Sequence, residues 1–96
     1  MALPAIHPGE HIAAELSELN MTASELARAL GIPANRITEI LRGRRGVTAD
    51  TALRLSRWLG TSPEFWMNLQ QIYELRLAQE THGAEIERTV TPHVAA

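Results

Sequence analysis

An all-α domain of five helices is the architecture that this 96-residue sequence predicts. Every stretch with apolar periodicity repeats at helical spacing, and none alternates at period two as a half-buried strand does. Helix-start residues precede the apolar runs (Pro8, Thr22, Pro33, Thr48, Ser62), and helix-stop residues follow them (Asn20, Gly31, Gly43, Gly60). A hydrophobic share of 45% supports one compact but modest core.

The first helix starts near Pro8 or Gly9 and runs to about Leu19, burying Ile12, Leu16 and Leu19 at i, i+4 and i+7, before Asn20 and Met21 break it. Thr22 with Glu25 three residues on is a capping-box signature, so the second helix starts at Ala23 and stops at Leu30 before Gly31. Pro33 suits the first turn of the third helix, which continues to about Arg42 and is ended by Gly43. The stretch Arg42-Gly43-Arg44-Arg45-Gly46 then reads as a basic loop whose two glycines let the backbone turn. Thr48 is the next N-cap, with Asp50 placed to complement the helix dipole, and the fourth helix buries Ala52, Leu55 and Leu59 before Gly60. Ser62-Pro63-Glu64 restarts the chain as N-cap, N1 proline and first-turn acid.

The fifth helix is the longest, from Pro63 to roughly Gln79. Phe65, Trp66, Leu69, Ile72, Tyr73 and Leu77 give it a wide apolar stripe, and Met67 and Leu75 add apolar surface beyond that. One reading closes the core with these residues. The other makes Phe65, Trp66, Leu69 and Tyr73 a homodimer interface, where aromatic residues are enriched. Residues 1–80 then form a single domain, and residues 81–96, with Gly83, Pro92 and weak periodicity, form a flexible tail.

Residues 22–42 carry the pattern of a helix-turn-helix. Leu26, Ala27 and Leu30, then Ile37, Ile40 and Leu41, face inward; Ala27 permits a close helix crossing, and Gly31 admits the left-handed backbone that ends the first of the pair. The outward face of the second shows Ala34, Asn35, Thr38, Glu39 and Arg42. Charge follows the same segment. Between Leu26 and Trp58 lie seven arginines against Glu39 and Asp50, a local balance of +5, whereas the whole chain carries −2. Such polarisation steers a polyanion to one face of an acidic molecule. All nine cations are arginines, a side chain suited to bidentate phosphate or guanine contact.

A recognition helix in the major groove presents its first turns to base edges, while the preceding helix and following loop hold phosphates. Asn35, Thr38 and Arg42 are therefore the candidate base contacts: Asn35 to adenine, Thr38 to a base or thymine methyl, Arg42 to guanine or phosphate. Thr22, Ser24, Arg36, Arg44 and Arg45 are the candidate phosphate contacts. Glu39, awkward near a polyanion, is assigned to an ion pair with Arg36 or Arg42.

Other chemistry is poorly supplied. The chain has no cysteine, so neither a disulfide framework nor a thiolate zinc site is available. It has no GxSxG elbow and no phosphate-cradling glycine loop. His7 and His11 straddle the start of the first helix instead of sharing a regular face, so no metal, cofactor or enzymatic activity is expected. No apolar run approaches the roughly 18 residues of a membrane span, and the N-terminus lacks the regions of a secretory signal, which points to the cytoplasm.

Several segments together resemble a known family. His7-Pro8-Gly9-Glu10, the helix-turn-helix, Gly43 to Thr48, Ala49 to Leu55, and Gly60-Thr61-Ser62-Pro63-Glu64-Phe65-Trp66-Met67-Asn68-Leu69-Gln70 are similar to the HigA-type antitoxins, within the Xre/Cro (lambda-repressor-like) helix-turn-helix group. The similarity spans about residues 6–78, its second half being the more specific. It implies a five-helix fold and a bacterial homodimer that binds a palindromic operator in its own promoter, nucleoid-associated when bound. It also implies a partner toxin resembling the RelE-type messenger RNA endonucleases. The acidic first helix, through Glu10, Glu15 and Glu18, is the surface assigned to such a basic partner. A free-standing Xre-type repressor without a toxin is the alternative.

Overall fold

The computed structural model describes residues 3–94 and contains α1 (Pro8–Leu19), α2 (Ala23–Leu30), α3 (Ala34–Leu41), α4 (Ala49–Leu59) and α5 (Pro63–Thr89), with no strand among the described residues. Each helix start but one is closed by a side chain. His7 Nδ1 accepts from the Gly9 N–H at 2.9 Å, placing Pro8 in the first turn of α1. The capping box of α2 is complete: Thr22 Oγ1 accepts from the Glu25 N–H at 3.1 Å and Glu25 Oε1 from the Thr22 N–H at 2.9 Å. The hydroxyls of Thr48 and Ser62 accept from Thr51 and Phe65 N–H groups at the starts of α4 and α5. The exception is α3, where Pro33 occupies the N-cap position with ψ 144° and no side-chain cap, one residue outside the expected first turn. Its ring fixes φ at −63°, which serves the entry into a helix equally well from there.

The bend between α2 and α3 depends on Gly31. Its φ of 72° lies in the left-handed region, and the N–H groups of Gly31 and Ile32 return to the carbonyls of Arg28 and Ala27, which closes a Schellman motif. α2 packs chiefly on α3 and α4 on α5, while α1 bridges α3 and α5. The core they enclose consists of Ile12, Leu16, Leu26, Ala27, Leu30, Ile37, Ile40, Val47, Ala52, Leu55 and Trp66. Ile37, Ile40, Ala52 and Leu55 are completely buried, so α3 and α4 each send side chains into the dry centre.

Three expectations are corrected. Leu19 is 46% exposed. It lies on the core side of α1 but one turn too far along; the chain turns back at Asn20 (φ 54°) and Met21 packs against the core in its place. Trp66, assigned above to a dimer surface, is 1% exposed and its indole N–H donates to Thr61 Oγ1 at 2.9 Å. It is the largest fully buried side chain and cannot also meet a second molecule. Finally, α5 continues about ten residues past Gln79, so much of the segment read as a flexible tail is helix. Ala78, Gln79, Glu80, Ala84, Glu85, Glu87 and Arg88 are all favourable or neutral in helices, and a single Gly83 costs only about 1 kcal/mol. Thr81 and Thr89 donate their hydroxyls to carbonyls four residues back. The helix gives way at Val90, two residues before Pro92.

Candidate nucleic-acid interface

α3 presents its first turn to solvent because Ile37 and Ile40 hold the opposite side in the core. Asn35 and Arg42 are exposed, and Thr38 is half-buried with its hydroxyl donating to the Asn35 carbonyl at 3.2 Å. All three expected base-reading side chains therefore share the outer side of one helix and its C-cap. Arg42 is the C-cap residue, and Gly43 (φ 72°) reverses the chain so that the Arg44 N–H reaches back to the Glu39 carbonyl at 2.9 Å. Gly46 does not share this turning role. Its φ is not left-handed, and what its lack of a Cβ provides is room for the Gln70 side chain.

The chain reversal decides which charges pair. Arg45 lands beside α3 and its Nε donates to Glu39 Oε2 at 3.1 Å, so Glu39 is paired with Arg45, not with Arg36 or Arg42 as the sequence suggested. Arg36 instead points to α4, where Nη1 meets Asp50 Oδ2 at 2.9 Å. The same carboxylate oxygen accepts from Arg54 Nε at 2.9 Å. Those two arginines hold the Asp50 carboxyl below the usual carboxylate range, Arg54 through its hydrogen bond and charge first and Arg36 second.

Arg54 does more than pair. Its Nη1 donates to the carbonyls of Leu30 at 2.9 Å and Gly31 at 3.4 Å, the free end of α2 at the helix-turn-helix corner. A guanidinium there satisfies carbonyls that have no partner within the helix and complements the negative end of its dipole. Arg36, Asp50 and Arg54 thus link both helices of the motif to α4. The spacing of Asp50 and Arg54, acid four residues before base on one helix, was a signal available in the sequence.

Among the phosphate candidates, Thr22 has both its hydroxyl and its N–H engaged in the capping box, and the Thr22 N–H bond holds the Glu25 carboxyl below its ordinary range. Ser24 is exposed on the first turn of α2. Arg44 is exposed and, like Arg42, makes no ion pair among the described residues. The loop is gripped from outside the motif. His7 lies against Gly43 and meets Tyr73 of α5 edge-on at 4.8 Å, while Gln70 Oε1 accepts from the Val47 N–H at 2.8 Å. Nothing in the sequence pattern marks those two contacts. On α1, Glu10 and Glu18 are exposed and Glu15 is half-buried. On α5, Phe65 is exposed, whereas Leu69 and Tyr73 are half-buried, Leu69 against the core. No helix among the described residues is long and apolar enough to cross a membrane.

An exposed polar helix, locked at a left-handed glycine to a capped partner and flanked by an arginine loop, defines a helix-turn-helix DNA-binding domain. Comparison with known proteins agrees: a family model described as helix-turn-helix matches residues 12–66. Virulence-associated protein I of Dichelobacter nodosus is 47% identical over 79 residues, which cover 81% of this chain and 73% of that protein. An addiction module antidote protein of the HigA family from Coxiella burnetii is 52% identical with a TM-score of 0.91, over 95% of this chain and 100% of that one. Pseudomonas aeruginosa antitoxin HigA, solved with the higBA promoter, is 42% identical with a TM-score of 0.91, again over 95% and 100%. The chain belongs to the HigA family of antitoxins, within the Xre-type helix-turn-helix proteins.

Proposed function

We propose that this chain is an antitoxin that binds a palindromic operator in its own promoter as a homodimer, represses that operon, and neutralises a RelE-like messenger RNA endonuclease. The observation that carries the DNA-binding half is the exposed α3 face with Asn35, Arg42 and Arg44 outward on a segment whose charge balance is +5 in a chain of −2. The solved complex of Pseudomonas aeruginosa HigA with its promoter supports it. Asn35 and Arg42 read base edges, Thr38 contacts a base or a thymine methyl, and Ser24 and Arg44 hold phosphates. Arg36 and Arg45 reach phosphate only by leaving or sharing Asp50 and Glu39, so they contribute less than Arg44. On the acidic side, Glu10, Glu15 and Glu18 of α1 face the toxin.

Fluorescence anisotropy with the chain's own promoter at two salt concentrations, alone and with the toxin encoded beside it, tests these assignments together. Operator affinity falls as salt rises. Asn35→Ala costs about 1–3 kcal/mol and relaxes one base position, whereas Arg44→Ala lowers the salt slope by about one per protomer with sequence preference intact. Equal affinity for promoter and scrambled duplex would refute operator recognition. Absence of any binding by the neighbouring gene product would leave a free-standing repressor.

A further inference from the structure

We propose that Gln70, on α5 and far in sequence from the helix-turn-helix, is a positioning residue for DNA binding that sets the arginine loop against the phosphates. The inference rests on the operator-binding reading above. Two features of the geometry carry it. Gln70 Oε1 accepts from the Val47 N–H at 2.8 Å in a half-buried setting. A Cβ on Gly46 would lie 2.7 Å from Gln70 Nε2 and 2.9 Å from its Cδ, so the side-chain amide occupies the space that the glycine leaves open.

The position of this contact matters more than its strength. Val47 is 2% exposed and belongs to the core, and Gln70 is the side chain that covers and accepts from its N–H, so removing Gln70 takes away that protein partner. The loop between α3 and α4 is then fixed at two ends. Gly43 closes the C-terminus of α3 beside the His7 ring, and Gly46-Val47 is pinned by Gln70; Arg44 and Arg45 lie between the two anchors. A guanidinium on a loop so held meets a phosphate without first ordering the backbone beneath it, which is the entropic advantage of a preorganised contact. Gln70 is the acceptor from α5 that supplies the second anchor. It touches no DNA itself: its effect on binding passes through the placement of Arg44 and Arg45.

A double-mutant cycle read by operator binding tests this. Gln70→Ala removes the acceptor, and Gly46→Ala forces the amide away from Val47 while leaving the acceptor chemistry in the chain. Each single variant weakens operator binding about tenfold and lowers the salt slope by roughly one per protomer, as phosphate contacts are lost. Because both break the same contact, Gly46→Ala adds little on top of Gln70→Ala, a strongly non-additive cycle. General loss of folded protein reduces the active fraction but leaves the salt slope unchanged, so the slope separates positioning from stability. Where Gln70→Ala is too unstable to assay, Gly46→Ala alone reports the same slope change. A wild-type chain that binds its promoter while both variants keep its slope, or whose effects simply add, overturns the role of Gln70 and leaves the operator reading standing. A wild-type chain with no preference for its promoter overturns the operator reading, and the inference with it.

Discussion

At His7 a ring nitrogen does the work usually given to a hydroxyl, and this has a consequence for pH. Nδ1 caps α1 only as an acceptor, so the ring must be neutral at that nitrogen to make the bond to Gly9. Burial lowers its pKa below 6.5, against the raising influence of the Arg45 backbone carbonyl and of Glu10, while Tyr73 packs on the ring edge without charge. A depressed folded value means that the unfolded chain binds the proton more readily. The stability from neutral His7 is therefore complete above 6.5 and is lost as pH falls through the lower folded value. Melting temperatures measured from about pH 7.5 down to about pH 5 should fall for the wild type and fall less for His7→Asn, which caps through a non-titrating oxygen. Parallel profiles would remove His7 from the account. Asp50 and Glu25, also depressed, act in the same direction but only in the carboxylate range, so the windows separate. Residue-level features divided sharply in how legible they were. Capping residues announce themselves by local spacing, and Thr22, Thr48 and Ser62 all act as their positions predict. The partners of Arg36, Arg45 and Gln70 lie on other elements, and only the path of the loop decides them.

At the scale of elements, α1 to α4 were readable because each is short, amphipathic and bounded by a helix-start residue and a left-handed stop at or near the expected residue. The far end of α5 was not, because apolar periodicity signals burial, and a helix that leaves the core has none to show. Residues 78–89 stay helical through backbone hydrogen bonds and favourable propensity instead. This makes Gly83 informative: a Cβ built there meets only Gln79 Cβ at 4.0 Å, so alanine is accommodated without strain. Gly83→Ala should stabilise that stretch by about 0.5–1 kcal/mol, raising far-UV helical signal and slowing amide exchange across residues 80–89. The main melting transition, set by the core around Trp66, should move little. Unchanged amide exchange across residues 80–89 would show that Gly83 does not limit the stability of these last turns. α5 crosses residue 80 without interruption.

For the whole molecule, the apolar surface left on α5 argues for a second copy. Phe65, Ile72 and Leu75 are 43%, 44% and 59% exposed, and their spacing of seven and three places them along one side of the helix. A two-fold axis there would cover these groups, and a dimer that reads one duplex with two α3 helices calls for half-sites roughly 34 Å apart. It would also double the arginine surface, so a complex of net negative protomers could still bind a polyanion through field shape instead of total charge. Leu75→Glu places like charges on both sides of such an axis without entering the monomer core. The variant should sediment as a monomer with an unchanged circular dichroism spectrum, bind the full operator about a hundredfold more weakly through loss of the linked second half-site, and show no difference between one half-site and two. A variant that stays dimeric with wild-type operator affinity would place the dimer contact elsewhere, and Phe65 and Ile72 with it.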